Sequence, residues 1–410
     1  MSSPSTTPRL PYAGLRVIDI TRVLASPYTT YQLGLLGAEI IKVEDPTVNG
    51  DTSRNRVGDD PELAKKGMAT NFISLNGNKK SITLDLRKPA AQQVLRDLAA
   101  TSDVLIENLR TGAMAGYGVG YEDLRAVNPR LIYCSLTGYG ATGPKARDPA
   151  YDPVIQAVCG MMSITGTPEV SPLKGGAPVI DYAAGLAAAF AISTAIIQRG
   201  QTGTGQFIDV SMLEVAFALM GTAVTEILTS GSDPKPWGNS FGPYIPLNRC
   251  FNSADGLLWI AASEPHQLKN FWTVLDRWDI PADPRFASVQ GRKQNWVELG
   301  AEVERTLSTR PALEWEERLN AAGVPAGRVR TIPEALRDPQ VTARPDFLHQ
   351  FHDVPGVGKA TVPLLPFNMA DARAHMHHPP PLLGEHNEEI LGGLGYSPER
   401  LAELRAAGAI

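Results

Sequence analysis

Cysteine is scarce: three in 410 residues (Cys134, Cys159 and Cys250), odd in number, widely spaced and without a Cys-x-x-Cys pair. That argues against a disulfide framework and against a cysteine-based zinc site. Long hydrophobic runs are missing too. The longest, Ala183 to Ile197, is too short to span a bilayer and carries Gly185, Ser193 and Thr194. The opening Met-Ser-Ser-Pro-Ser-Thr-Thr-Pro has no apolar segment of the secretory kind. Positive charge is not in excess. A net charge of −5 provides no global field for nucleic acid or an anionic membrane, so an anionic ligand has to be met by local cations. The expectation is a soluble, cytoplasmic protein with no nucleic-acid or membrane partner.

Common catalytic signatures are also absent. A dinucleotide site needs Gly-x-Gly-x-x-Gly between a strand and a helix. The first strand is instead followed by Thr21-Arg-Val-Leu-Ala-Ser-Pro27, which has no glycine. Gly203-x-Gly205 follows a helical segment and precedes a strand, the wrong context. There is no Walker sequence, no His-Glu-x-x-His and no Gly-x-Ser-x-Gly. No metal and no tightly bound cofactor are expected.

What remains is a hydrophobic content of 43%, enough for a full core, on a chain long enough for about two to three domains. After a polar arm over residues 1–12, short apolar runs alternate with helical spacing. Strands are expected at Leu15–Thr21, Ala38–Glu44, Ser81–Leu86, Asp103–Glu107, Leu131–Ser135 and Phe207–Val210. Ser26-Pro27 reads as a cap and first turn of a helix running to about Leu36. Pro89 to Ala100 places Ala90, Val94, Leu95 and Leu98 on one face. The alternation predicts an α/β fold with a largely parallel sheet covered on both faces. The texture changes after a Gly/Pro-rich stretch. The expected division is a large α/β domain from 1–215 and 331–410, a linker over 216–245 and a small α+β domain over 246–330.

Two features carry chemistry. Val179-Ile-Asp181 reads as a strand end opening a long helix from Tyr182 to Arg199. A carboxylate there would face unpaired amides and the positive end of the helix dipole, which would hold it ionised. Asp181 is then either a helix cap or a nucleophile toward an activated acyl group. Lys65, Lys66, Lys79, Lys80, Arg87 and Lys88 form a basic cluster, either a solvated face or a patch for a phosphorylated ligand.

Several segments in order resemble the family III CoA-transferases, a group that also contains the α-methylacyl-CoA racemases. They are Gly14-Leu-Arg-Val-Ile-Asp-Ile-Thr21, Leu-Gly-Ala-Glu-Ile-Ile-Lys-Val-Glu44, Gly50-Asp51-x-x-Arg54, Asn78-Lys-Lys-Ser-Ile-Thr-Leu-Asp-Leu86, Ile106-Glu-Asn108, Thr202-Gly-x-Gly-Gln206 and Leu383-Gly-Glu-His-Asn387. The resemblance implies a large Rossmann-like domain built from both termini, a small inserted domain, and open-ring chains interlocked as a homodimer. It implies coenzyme A as part of the substrate and a small carboxylic acid as acceptor. It also places Asp181 at the nucleophile. Val23, Leu24 and Ala25 fall on the loop lining the CoA and acyl region, and Asn108 with the turn before Lys79 on CoA-nucleotide contacts. Asp45 and Gly116 stand where a formyl-CoA transferase carries arginines near CoA phosphates, so Arg110, Lys79 and Lys80 become candidates for that role. The racemase branch carries His-Asp where this chain has Tyr151-Asp152, and no histidine precedes His266. Tyr151 is therefore expected to position a carboxylate, and Arg56 to grip a second carboxylate of the acceptor. Gly238-Asn-Ser-Phe-Gly242 is a candidate lid. Amides opening the Asp181 helix are candidate oxyanion donors. A protein that only binds acyl-CoA is the alternative outside catalysis.

Overall fold

A computed structural model describes residues 10–56 and 60–410. Most of the expected 1–12 arm therefore lies outside the described residues. The chain divides into two compact units. The first comprises residues up to Cys159, Gly175–Thr225 and Arg344–Ile410; the second comprises Gly160–Lys174 and Glu226–Ala343.

The first unit is organised by six strands: β1 (Arg16–Ile20), β2 (Glu39–Glu44), β3 (Lys79–Thr83), β4 (Val104–Glu107), β5 (Ile132–Thr137) and β6 (Phe207–Ser211). They pair in parallel in the order β3-β2-β1-β4-β5-β6. β4 and β5 are buried along their whole length, as strands covered on both faces must be. The apolar face of the Pro89–Ala100 helix, with Ala91 rather than Ala90 buried, packs on Ile18, Ile41, Ile82 and Leu105. Strand order reverses at β1, so the loops after β1 and β4 diverge and leave a crevice at their carboxyl ends.

Two sequence motifs serve the sheet. The backbone of β3 bonds the C-terminal Gly-Glu-His-Asn segment: the His386 amide donates to the Ser81 carbonyl, and the Thr83 amide to Asn387 Oδ1 at 2.9 Å. The outer edge of the sheet is thereby covered. At Gly205 a Cβ would lie 2.0 Å from the Leu131 carbonyl oxygen, so only glycine lets β6 enter beside β5.

Several expected boundaries shift. Val179–Asp181 is not a strand end; the helix runs Val179–Thr202. β3 begins at Lys79 rather than Ser81, so both lysines stand on the strand itself rather than ahead of it. Ser26 does not cap the first helix, which begins at Ala25 and buries the Ser26 hydroxyl. Residues 212–219 and 221–230 are helical where a linker was expected from 216, because the Gly/Pro-rich composition starts only at Gly231. The second unit has an antiparallel sheet of β7 (Asn248–Asn252), β8 (Leu257–Ala261) and β9 (Ala326–Arg328). Its own core includes Phe251, Phe271, Trp272 and Trp315.

Buried charge binds β2 to the chain around it. Arg54 grips both oxygens of Glu44 at 2.7 Å, and Ser81 Oγ donates to the same carboxylate at 2.6 Å. Arg54 also lies 3.8 Å over the Phe72 ring. Burial favours protonation of Glu44, but Arg54, Lys42 and Ser81 outweigh it and hold the carboxyl below its ordinary value. Asp51 is likewise drawn down to about 2, against burial, by Lys42 and by backbone amides. Stability from these carboxylates is complete above their unfolded pKa values near 4 and is lost as pH falls toward about 2. Urea melts should show that loss across the same interval. Arg54→Ala should cost about 3–5 kcal/mol at neutral pH by stranding Glu44, and Arg54→Ala/Glu44→Ala substantially less than the sum of the singles.

Candidate active site

The loop after β1 starts at Thr21 and turns into the Ala25–Leu35 helix. Its shape is set by side chains from neighbouring strands. Arg22 and Asn108 clasp each other across the switch point: the Arg22 amide donates to Asn108 Oδ1 at 2.9 Å, and Asn108 Nδ2 donates to the Arg22 carbonyl at 2.8 Å. Val23 has φ of +74°, a left-handed conformation that is an outlier for a β-branched residue. Its amide donates to Asp51 Oδ1 at 3.1 Å. Strain of this kind costs about 1–3 kcal/mol and persists only where surrounding bonds over-determine it.

This loop forms one wall of a cavity of about 330 Å³. Val23, Leu24, Ala25, Asn108, Arg110, Tyr151 and Asp181 all line it. Seven positions singled out from the sequence, spread over about 160 residues of chain, thus meet at one place. Arg22 and Arg147 line it as well and were not anticipated. Arg22 sat in a loop judged by its lack of glycine. Arg147 sits in a Lys-Ala-Arg-Asp run that reads as solvated loop. Neither these two nor Arg110 makes an ion pair among the described residues. A second cavity of about 310 Å³ shares Arg22, Leu109 and Arg110 and adds Asp45, Asp85 and Arg87.

Asp181 is the third residue of its helix and caps nothing. Asp152 does that work: its Oδ2 accepts the Ile180 amide at 2.8 Å and the Asp181 amide at 3.1 Å, while Gln156 Nε2 holds Oδ1 at 2.6 Å. The Asp181 carboxyl accepts no hydrogen bond from the described residues and faces the cavity. Burial and then the Asp152 charge push its pKa up to about 7, while Arg56 opposes them. This reverses the expectation that the helix terminus would hold Asp181 firmly ionised: burial and the Asp152 charge oppose ionisation, and the amides meant to favour it are spent on Asp152. For the same reason those amides cannot serve as oxyanion donors. The Leu24 and Ala25 amides, at the start of the first helix, donate to no acceptor among the described residues.

Three candidates lie elsewhere. Lys79 is buried, its ammonium 3.0 Å from both Asp19 Oδ2 and the Pro27 carbonyl, and burial pulls its pKa down to about 8. Lys80, alternating to the other face of β3, pairs with Glu39 and Glu389. Neither is available to a phosphate in the Asp181 cavity: strand alternation and carboxylate partners commit both. They border a larger cavity of about 690 Å³ at the opposite end of the strands, beside Asn78, His377 and His386. Size does not mark the chemistry here. Arg56 is exposed and outside the cavity lining, yet close enough to act on the Asp181 charge. The Gly238–Gly242 loop belongs to the second unit, where the Gly238 amide donates to the Gly166 carbonyl at 2.6 Å.

Known proteins similar to this chain belong to one family. Residues 12–387 match the model of CoA-transferase family III. The human succinyl-CoA:glutarate CoA-transferase is 34% identical over 406 residues, covering 98% of this chain and 90% of its own. The Agrobacterium fabrum succinate–glutarate CoA-transferase is 36% identical over 397 residues, covering 94% of this chain and 96% of its own. The crystal structure of a CaiB/BaiF family protein from Brucella suis superimposes with a TM-score of 0.82 at 35% identity, covering 94% of this chain and 99% of that one. The chain belongs to the family III CoA-transferases, enzymes that pass CoA between an acyl-CoA and a carboxylate.

Proposed function

We propose that Asp181 is the covalent nucleophile of a CoA transfer between dicarboxylic acids, with succinyl-CoA as a donor. The observation that carries this reading is a carboxyl without hydrogen-bond partners among the described residues, set in a cavity at the sheet's switch point. An Asp181 oxygen attacks the thioester carbonyl, the C–S bond breaks, and CoA leaves as thiolate. The thiolate then attacks the aspartyl carbonyl of the mixed anhydride, releasing the donor acid and forming an aspartyl-CoA thioester. The acceptor carboxylate displaces CoA from that thioester. The thiolate takes the new acyl group from the second anhydride and frees Asp181. Leu24 and Ala25 amides stabilise the oxyanions. Arg22, Arg110 and Arg147 meet the CoA phosphates, replacing the cations absent at Asp45 and Gly116.

The acceptor class rests on Arg56. Its charge reaches Asp181, so a short acid with one carboxylate at Asp181 would bring a second within range of the guanidinium, whose planar fork suits bidentate contact. Relatives named for succinate and glutarate support this class. Racemisation is disfavoured: no histidine lines the Asp181 cavity, so the second proton-transfer base of a two-base epimerisation is missing there. We also propose a homodimer. Leu186, Phe190 and Ile197 form an exposed apolar stripe on the Asp181 helix, with Phe190 75% exposed, and a second copy of the chain is its occupant.

Asp181→Ala should abolish transfer and the covalent adduct with succinyl-CoA, read by mass spectrometry, without shifting the melting temperature; substantial transfer by that variant rules the mechanism out. Because the nucleophile must be ionised, kcat/KM for the donor should rise tenfold per pH unit below about 7 and level off above it. Asp152→Asn should move that inflection down and Arg56→Ala should move it up. Arg56→Lys should weaken a dicarboxylate acceptor strongly and Arg56→Ala further, with monocarboxylates little affected; equal losses for both classes refute the anchor. Deuterium should not wash into the α-position of a 2-methylacyl-CoA at rates comparable to transfer. Light scattering should give a dimer mass, and Phe190→Asp should reduce it.

A further inference from the structure

A glycine inside a helix costs about 1 kcal/mol relative to alanine. The Asp181 helix nevertheless carries Gly185 among the small residues of its buried face, between Ala184 and Ala188. The reason lies in the first helix. A Cβ at position 185 would stand 2.5 Å from the Ala25 carbonyl oxygen and 3.0 Å from the Tyr28 ring. Thr29 Oγ1 donates to the Gly185 carbonyl at 3.0 Å, and the Tyr28 and Tyr182 rings meet edge to face with centroids 4.9 Å apart. The two helices therefore touch backbone to backbone, without intervening side chains, at one point. Gly185 follows Asp181 by four residues, so the two share a helix face one turn apart. Ala25, which Gly185 touches, follows Leu24 in the loop that lines the same cavity as the carboxyl.

We infer that Gly185 is a positioning residue for the transfer reaction: its missing side chain sets the distance between the Asp181 carboxyl and the Leu24–Ala25 wall. This rests on Asp181 being the nucleophile. A methyl group at 185 meets backbone on the other side, which cannot swing aside as a side-chain tip would. The helices must part, carrying Asp181 away from the wall that receives the thioester carbonyl. A displacement near 1 Å at a reacting atom costs about 100-fold in rate. The loop that carries Arg22 is held independently of the Asp181 helix, by Asn108 and by Lys42 at the Thr21 carbonyl, so the contact is relieved by movement of the Asp181 helix and CoA binding is retained.

Gly185→Ala should lower kcat about 100-fold, slow formation of the Asp181 adduct with succinyl-CoA to match, and leave the affinity for free CoA, measured by calorimetry, within about twofold. A kcat within threefold of the wild type overturns the proposal. So does a parallel loss of CoA affinity, which would signal general loosening. Should Gly185→Ala not fold, Thr29→Val keeps the volume and removes the bond to the Gly185 carbonyl together with a longer one, 3.5 Å, to the Ala25 carbonyl across the same contact. It should lower kcat about fivefold, the equivalent of one hydrogen bond of about 1 kcal/mol, at unchanged CoA affinity, and an unchanged kcat overturns the proposal. Absence of any adduct in the wild-type protein overturns the Asp181 reading and this one together. Normal adduct formation in Gly185→Ala overturns the positioning alone.

Discussion

Two buried ammonium groups hold the active-site loop from beneath. Lys42 on β2 reaches the Thr21 carbonyl at 2.9 Å and Asp51 Oδ2 at 3.0 Å. Lys79 on β3 reaches the Pro27 carbonyl and Asp19. Thr21 and Pro27 bracket the loop, so its two ends are fixed by charges that cannot be left unpaired at such depth. Asp51 then spends its other oxygen on the strained Val23 amide. Burial resists both lysine charges; nearby carboxylates raise the Lys42 pKa above its ordinary value, whereas burial wins at Lys79. The loop is anchored at both ends by supports that are costly to remove.

The second constraint is electrostatic and concerns one carboxyl. In the proposed transfer the Asp181 carboxyl must be ionised yet not so well solvated or hydrogen-bonded that it is inert. Asp152 serves both ends. By taking the helix amides it denies Asp181 their stabilisation, and by its charge it destabilises the Asp181 anion further. Arg56 restores part of what Asp152 removes. The charge state of Asp181 is thus set first by burial and then by the opposed charges of Asp152 and Arg56, which distant sequence positions contribute.

Packing supplies the third. The Asp181 helix and the first helix approach through Gly185, and β6 enters the sheet through Gly205; in both places a carbonyl oxygen occupies the space a Cβ would need. These contacts bring the Asp181 helix against the first helix and β6 against β5, and the lysine supports tie both ends of the loop that lines the Asp181 cavity.

The alternation of apolar runs with helical spacing was enough to read a parallel α/β sheet, because strand and helix periods are local properties of the chain. Asp181 stood out as a carboxylate opening a long apolar helix, but spacing left it either cap or nucleophile, and only the family resemblance favoured the second. What local pattern could not decide was pairing. Lys79 and Lys80 look alike in sequence, yet strand alternation buries one on Asp19 and leaves the other with Glu39 and Glu389. Asp152 and Arg147 become site residues only when the chain after β5 folds back to the Asp181 helix. The Asp181 pKa followed the same rule: the amides expected to lower it are taken by a carboxylate 29 residues away. Periodicity lies along the chain and can be read there, whereas the partner of a buried charge is chosen by the fold that brings it near.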